Sequence, residues 1–295
     1  MESLIFAVLA GVMVTIQGSF NGIMTPYIGP MGTSLAGAVI QTVLLVVIQL
    51  IKEKKMVSLK GVPLIYYASG LVATVIVGVT GICVATMGSS VTTCCSVAGQ
   101  IIMSAFCDHF GLFGNRKNRF SVKRIPGFVL ILAGVLAMNL IGGSSSGKTP
   151  IYLLLIAMCL GAMAILVRSI NYKVTKIVGS SIGGGIFNSV SGLIFSLILF
   201  FVMAGFKPDF STFTQVPFYC YFAGLAGTAC LMCNILAYRK EKIFYSTIFM
   251  LIGQVATGIL MDIFVFHSLS VGKCIGIVIV LAGVLLDKIL TRDKF

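Results

Sequence analysis

Apolar residues come in long unbroken blocks rather than in alternation, and polar residues collect in short gaps between the blocks. Crossing a bilayer takes about 20 mostly apolar residues. Runs of that order occupy Leu4 to Met24, Thr33 to Ile51, Val62 to Ala85, Ser90 to Cys107 and Ile125 to Ile141. Five more occupy Pro150 to Val167, Gly179 to Ala204, Val216 to Ala237, Ile243 to Phe266 and Val271 to Leu290. The blocks are too long for membrane strands and lack their two-residue alternation, so each is expected to be a helix, which satisfies its own backbone N–H and C=O groups within lipid. The longest gap, Asp108 to Arg124, is far below the roughly 50 residues that a separate soluble domain requires, so no extramembrane domain is expected.

Composition fits the same picture. With 58% hydrophobic and 10% charged residues, the chain has too few polar side chains to solvate a globule in water. Orientation follows from Lys and Arg, which cytoplasmic loops retain. If Met1 is cytoplasmic, the inner gaps take Lys52 to Lys60, Arg116 to Arg124, then Arg168, Lys173 and Lys176, then Arg239 to Lys242, and the C-terminal Lys288 to Lys294. Of the 21 Lys and Arg, only Lys148, Lys207 and Lys273 fall outside. A multi-pass plasma-membrane protein with both termini cytoplasmic is expected. The cations are scattered over short loops and form no groove with interleaved aromatics, so no nucleic-acid partner is expected. Trp is absent, and Tyr27, Tyr66, Tyr67, Tyr152, Tyr172, Tyr219, Tyr221, Tyr238 and Tyr245 stand near span ends as an interfacial belt. Met1-Glu2-Ser3 lacks a positive n-region, so the first run is expected to remain as a span. The 9 Cys lie almost entirely within spans, where a thiol packs as a small apolar group. Cys230-x-x-Cys233 has no second pair and no nearby His, so packing is expected there, and neither a metal nor another cofactor is predicted.

The second half repeats the first about 150 positions later. Gly11, Met13, Ser19, Asn21, Thr25 and Gly29 fall on Gly161, Met163, Ser169, Asn171, Thr175 and Gly179. Gly70, Leu71 and Thr74 fall on Gly224, Leu225 and Thr228, and Gly99, Gln100 and Asp108 fall on Gly253, Gln254 and Asp262. Leu132-Ala133-Gly134-Val135-Leu136 recurs as Leu281-Ala282-Gly283-Val284-Leu285. The expected units are residues 1–147 and 148–295. Five spans is an odd number, so the second unit enters the membrane from the opposite side. The predicted fold is an all-α integral membrane protein of ten transmembrane helices in a 5+5 inverted repeat. Such repeats build transporters, because two similar halves packed in opposite senses can exchange conformations between inward-open and outward-open states.

The segments Gly11-Val12-Met13-Val14-Thr15-Ile16-Gln17-Gly18-Ser19-Phe20-Asn21, Ala98-Gly99-Gln100-Ile101-Ile102 and Asp108-His109-Phe110-Gly111-Leu112-Phe113-Gly114 resemble the YdcZ-like branch of the drug/metabolite transporter superfamily. The resemblance extends over the whole chain and is sharpest in the first half. Val167 and Arg168 replace Gln17 and Gly18 in the second half, and Ile263-Phe264-Val265 replaces His109-Phe110-Gly111. The resemblance implies ten helices, cytoplasmic termini and a central cavity lined by the first, third and fourth spans of each half. It also implies a packing seam at the last span of each half, where Gly127 and Gly134, and Gly276 and Gly283, stand seven apart on one helix face. A monomer or a homodimer through those spans follows from it.

Polar side chains inside hydrocarbon are costly and mark candidate sites. Gln41, Gln100, Asn188 and Gln254 fall near mid-span, and Gln17 and Asn21, four apart on one face of the first helix, extend the set toward the outer side. These six amides could contact a small polar metabolite or drug-like solute, or could only join helices as interhelical hydrogen bonds. Asp262 is the one carboxylate clearly within a span, with Asp108 as its repeat mate at the inner end of the fourth. Both are candidates for proton coupling, against a helix-end role for Asp262 or pairing with His267. The first span has no carboxylate, which disfavours the cation-for-proton exchange of the small multidrug transporters. Gly183-Gly184-Gly185 could pack closely or unwind the seventh span. An enzyme is disfavoured because the Asp108-His109 and Asp262, His267 pairs lack ligand spacing. The other alternative, a non-transporting membrane subunit or lipid-handling scaffold, would have a packed centre with no solute-sized cavity.

Overall fold

Long apolar blocks with no internal alternation can satisfy their backbones in lipid only by coiling, and every regular element among the described residues is helical. The computed structural model describes residues 2–54, 57, 59, 61–110, 125–141, 150–207, 209–240, 243–268 and 270–291. The helices are α1 (Glu2–Glu53), α2 (Ala68–Met87), α3 (Ser89–Phe110), α4 (Ile125–Ile141), α5 (Ile151–Val178) and α6 (Ser181–Met203), then α7 (Ser211–Gln215), α8 (Phe222–Lys240), α9 (Ile243–Phe264) and α10 (Val271–Thr291). A turn of 3₁₀ helix precedes α2 at Leu64–Tyr67 and α8 at Phe218–Tyr221, each entered from a proline, Pro63 and Pro217. The expected division between residues 147 and 148 lies outside the described residues.

The first two predicted spans form one helical element that folds back on itself. Gly29, with φ 70° and ψ 170°, interrupts α1, and Pro30 opens the second arm, where a missing N–H costs nothing. Thr25 Oγ1 lies 3.4 Å from Thr33 Oγ1, whereas eight residues of straight helix would separate them by about 12 Å. The arms 2–28 and 30–53 therefore run antiparallel with no loop between them. Its repeat mate Gly179, at φ 71°, ends α5 just before α6. A side chain at either position would be strained, so both reversals are glycine.

Other glycines bring helix backbones into contact. A Cβ on Gly11 would meet Met250 O, and one on Gly253 would meet Val8 O, where the first arm of α1 crosses α9. The mates repeat this where α5 crosses α3: Gly161 faces Ser96 O, and Gly99 faces Met158 O. Gly70 of α2 abuts Ser191 of α6, and its mate Gly224 of α8 abuts Ile40 in the second arm of α1. The seam predicted for the last span of each half forms within the chain, between α4 and α10. There Gly134 and Gly276 face each other's carbonyl oxygens, with Cβ positions 2.8 and 2.6 Å away, and a Cβ on Gly283 would stand 3.0 Å from Gly127 O. Lipid supplies no hydrophobic drive between helices, so such close backbone approach provides the attraction. Gly183-Gly184-Gly185 also packs: α6 runs unbroken through it, and Cβ atoms on Gly183 and Gly185 would sit 2.7 Å from Val178 Cγ1 and 2.6 Å from Leu231 Cδ2.

The outer surface is apolar, with Ile5, Val47, Ile51, Val129, Leu140, Leu155, Ile198 and Val278 all exposed, an unusual surface for water and an ordinary one for lipid. Among the described residues Leu4–Glu53, Leu64–Met87, Ser89–Cys107, Ile151–Val178 and Ser181–Met203 are long and apolar enough to cross a membrane. Ile125–Met138, Phe218–Asn234, Phe249–Phe264 and Val271–Leu286 are shorter apolar helices.

Substituting Gly134→Val places branched carbons against Val280 Cγ2 and the Gly276 carbonyl, 2.7 and 2.8 Å from the Cβ position. The expected cost is about 1–3 kcal/mol, read as a lower Tm of the detergent-purified protein. An unchanged Tm would show that the α4–α10 seam can open without loss.

Candidate functional site

The apolar stripes of α1, α2, α5, α6 and α8 do not close on one another completely. Between them lies a cavity of about 510 Å³, with Gln17, Gln41, Thr74, Arg168, Asn171, Asn188 and Asn234 among its lining residues. It runs from the level of Gln17 and Gln41 to Tyr172, Lys176 and Ser181, beside the Gly179 reversal. At that mouth the Lys176 ammonium stands 4.6 Å from the centre of the Tyr172 ring, and both side chains are exposed.

The six amides nominated from sequence divide into three groups. Gln17, Gln41 and Asn188 line the cavity, with the Gln17 amide over Gly227 of α8, 2.7 Å from where a Cβ would stand. Gln100 and Gln254 are buried behind the wall and bonded to one another: Gln100 Nε2 donates to Gln254 Oε1 at 3.3 Å and to Ser96 Oγ at 3.2 Å. Gln100 Oε1 in turn accepts from Arg168 Nη2 at 3.1 Å. The repeat-related pair thus holds the guanidinium that lines the cavity. Asn21 is 2% exposed and does not line the cavity.

Sequence reasoning missed Arg168, Asn171 and Lys176 as site residues and counted Arg168 among the loop cations. Hydropathy falls after Val167, but α5 continues to Val178, because a helix face that borders a cavity tolerates polar side chains. The repeat itself held the signal, since Asn171 is the mate of Asn21. Local structure is the same at both: Thr25 Oγ1 donates to Asn21 O at 2.7 Å, and Thr175 Oγ1 donates to Asn171 O at 2.9 Å. Their surroundings differ. Asn21 and Thr25 are buried against α2, with Thr25 Oγ1 against Gly81, while Asn171 and Thr175 line the cavity.

Asp262 is not among the residues that line this cavity and sits in a fully bonded site. It is 0% exposed and accepts from Ser89 N at 2.7 Å, Ser90 N at 3.2 Å, the Ser90 hydroxyl and Lys273 Nζ at 3.3 Å. The carboxylate of α9 thereby caps the N-terminus of α3, where unpaired N–H groups and the helix dipole favour negative charge. Lys273, counted on the outer side at the start of the tenth run, is 3% exposed within α10 and also donates to Ser268 Oγ at 3.1 Å. Ser19 Oγ, 2.8 Å from Ser89 Oγ, ties the first arm of α1 to the same cap. Asp108 lies in α3, but its side chain is outside the described residues. Cys230 lines the cavity and receives Asn234 Nδ2 at 3.3 Å, and Cys230 and Cys233 are both free thiols. Among the described residues no cluster of three His, Cys, Asp or Glu could hold a metal ion.

Apolar helices around a largely apolar cavity that carries a few polar side chains define a multi-pass helical membrane protein. Residues 3–137 and 152–286 each match a family described as "Putative inner membrane exporter, YdcZ". The chain belongs to this YdcZ family of the drug/metabolite transporter superfamily, which makes it a plasma-membrane protein of a small-molecule transporter family and not an enzyme. No curated protein matches it. A solved crystal structure at 14% identity superposes over 97% of both chains with a TM-score of 0.60, a likeness of fold alone.

Removing one partner of a buried ion pair leaves the other charge uncompensated. Lys273→Met is therefore expected to cost about 3–5 kcal/mol, and Asp262→Asn on top of it to recover part of that loss. Thermal unfolding of the two single variants and the double variant measures the coupling; additive losses would mean that the pair does not act as a unit.

Proposed function

We propose that the chain moves a small polar solute across the plasma membrane by alternating access, through the cavity between its two halves. One observation carries this reading: a space of about 510 Å³ with polar side chains on its wall, in the middle of an otherwise apolar bundle. Small-molecule sites occupy about 300–1,000 Å³, whereas a scaffold or non-transporting subunit would have a packed centre. Gln17, Gln41, Asn171 and Asn188 are assigned to solute contact, Gln100 and Gln254 to positioning Arg168, and Asn21 to the closed end. Asp262 is assigned to joining α3, α9 and α10, because its carboxylate on α9 accepts from Ser89 and Ser90 of α3 and from Lys273 of α10. Asp108 stays a candidate for proton coupling on sequence grounds alone.

We read the two arms of α1 together with α2 to α6 and α8 to α10 as ten crossings, arranged as two inverted units of five. Support comes from the repeat-paired crossings of Gly11 with Gly161, Gly99 with Gly253 and Gly70 with Gly224, and from two family matches separated by the connection between halves. The excess of Lys and Arg in alternate loops favours cytoplasmic termini, and it persists after Arg168 and Lys273 are assigned to helices. In that orientation the mouth at Tyr172 and Lys176 faces the cytoplasm, and the end at Gly29 is shut. A single chain is the assigned unit, since the glycine faces of α4 and α10 cover each other.

Gly37 lines the cavity, and a Cβ there would meet nothing within 4 Å, so Gly37→Leu fills the space without straining the backbone. In proteoliposomes this variant is expected to lose about tenfold or more of solute flux while keeping its Tm. Full flux in the folded variant would exclude this cavity as the path.

A further inference from the structure

Among the described residues Arg168 is the one cation inside the mouth whose charge the cavity wall leaves uncompensated. Its Nη2 donates to the Gln100 amide oxygen, a neutral partner, while its Nη1 is buried and makes no hydrogen bond. The amide chain behind it is oriented by Gln100 Nε2 donating to Gln254 Oε1, which fixes an oxygen, not a nitrogen, toward the guanidinium. Holding a cation in place with neutral amides positions its charge and leaves that charge unspent. Among the described residues no Asp or Glu lines the cavity, and the second lining cation, Lys176, stands at the mouth. One α-helical turn from Arg168, Asn171 Oδ1 is buried without a partner, as is Asn188 Oδ1 on α6. A half-buried guanidinium with a buried, unused Nη1 is costly unless an anion completes it, and unpaired amide oxygens require donors.

We propose that the cavity is specific for a small carboxylate solute, with the carboxylate taken by Arg168 and hydroxyl or ammonium donors of the same solute taken by Asn171 and Asn188. This deepens the transport reading and rests on it. The planar guanidinium suits a carboxylate better than a point charge does, since it can offer two parallel N–H groups to two oxygens. Lys176 raises the local concentration of anions at the mouth without entering the bound complex. The same arrangement repels organic cations, the solutes for which a carboxylate in the first span would be suited. Arg168 has no basic mate, since Gly18 occupies its place in the first half. The carboxylate of the solute is therefore held off the pseudo-symmetry axis, by the second half of the protein.

The test is counterflow into proteoliposomes of lactate, alanine, glutamine, succinate and benzoate, run beside lactamide, alaninamide and ethanolamine. At least one carboxylate is expected to exchange while the carboxamides and the amine do not. Arg168→Gln is expected to lower the apparent affinity for that carboxylate by about thirtyfold or more, and Arg168→Lys by less, with the Tm of both variants confirming the fold. Exchange of ethanolamine or of a carboxamide as fast as its acid would overturn the inference, as would an Arg168→Gln variant within threefold of the parent. If that exchange is still blocked by Gly37→Leu, the cavity remains the transport path and only the carboxylate assignment falls. Exchange of none of the probes counts against both.

Discussion

A helix in hydrocarbon has already satisfied its own backbone, and the lipid around it is as apolar as its side chains, so contact between helices must come from close fit and from the few polar groups that can meet. Here that fit is made at glycines whose absent side chains let one backbone lie on another. They recur in sequence-related pairs: the α1–α9 and α3–α5 crossings, the α2–α6 and α8–α1 crossings, and the α4–α10 seam at Gly134 and Gly276. Everything that faces the cavity is carried on helices held by those contacts. Positions of Gln17, Arg168 and Asn188 therefore depend on backbone-to-backbone distances that a single methyl group would change.

The same local structure appears in two environments. Gly29 and Gly179 both reverse the chain at positive φ, and Thr25 and Thr175 both bond back to the asparagine four residues earlier. One copy is shut against α2, with Asn21 at 2% exposure, and the other opens onto the cavity. Two copies of one motif, one closed and one open, are what an exchange between inward and outward states requires. At the shut end the buried Asp262 to Lys273 pair and the α3 cap hold α3, α9 and α10 together. The chemistry of the cavity is less symmetric than its frame, because Arg168 replaces Gly18 and the Gln100 and Gln254 amides combine to serve that one side chain.

Much of this was legible from residue order. Length and apolarity located every major helix, as with the run Ile125 to Ile141, which coincides with α4. The repeat paired Gly11 with Gly161, Gly70 with Gly224 and Gly99 with Gly253 without showing what they touch, whereas the seven-residue spacing in the last span of each half did indicate a packing face. Hydropathy was blind where a helix continues past its apolar block. It ended the sixth run at Val167 and placed Arg168 in a loop, eleven residues before α5 ends at Val178. It counted Lys273, at the start of the tenth run, only as an outer-side cation, since a paired cation looks the same in sequence as a solvated one. The six amides stood out in sequence as polar groups within apolar runs, but sequence could not say which would line a space and which would stand behind it. Gln100 and Gln254 are as buried as core side chains and reach the cavity only through Arg168. The merged α1 shows a further limit: Gly29 followed by Pro30 makes a reversal with no loop, where hydropathy allowed for a gap of eight residues between Met24 and Thr33.

The repeat mates Thr25 and Thr175 provide the most direct measurement of whether the two halves exchange roles. Single cysteines, Thr25→Cys and Thr175→Cys, would be introduced after replacement of the native thiols and labelled with a membrane-impermeant maleimide added to one side of sealed vesicles at a time. The account predicts that Thr175→Cys reacts from the cytoplasmic side and Thr25→Cys only from the opposite side, with the second reaction appearing as the protein cycles. Labelling of both positions from the same side, or of Thr25→Cys from neither side under any condition, would contradict it.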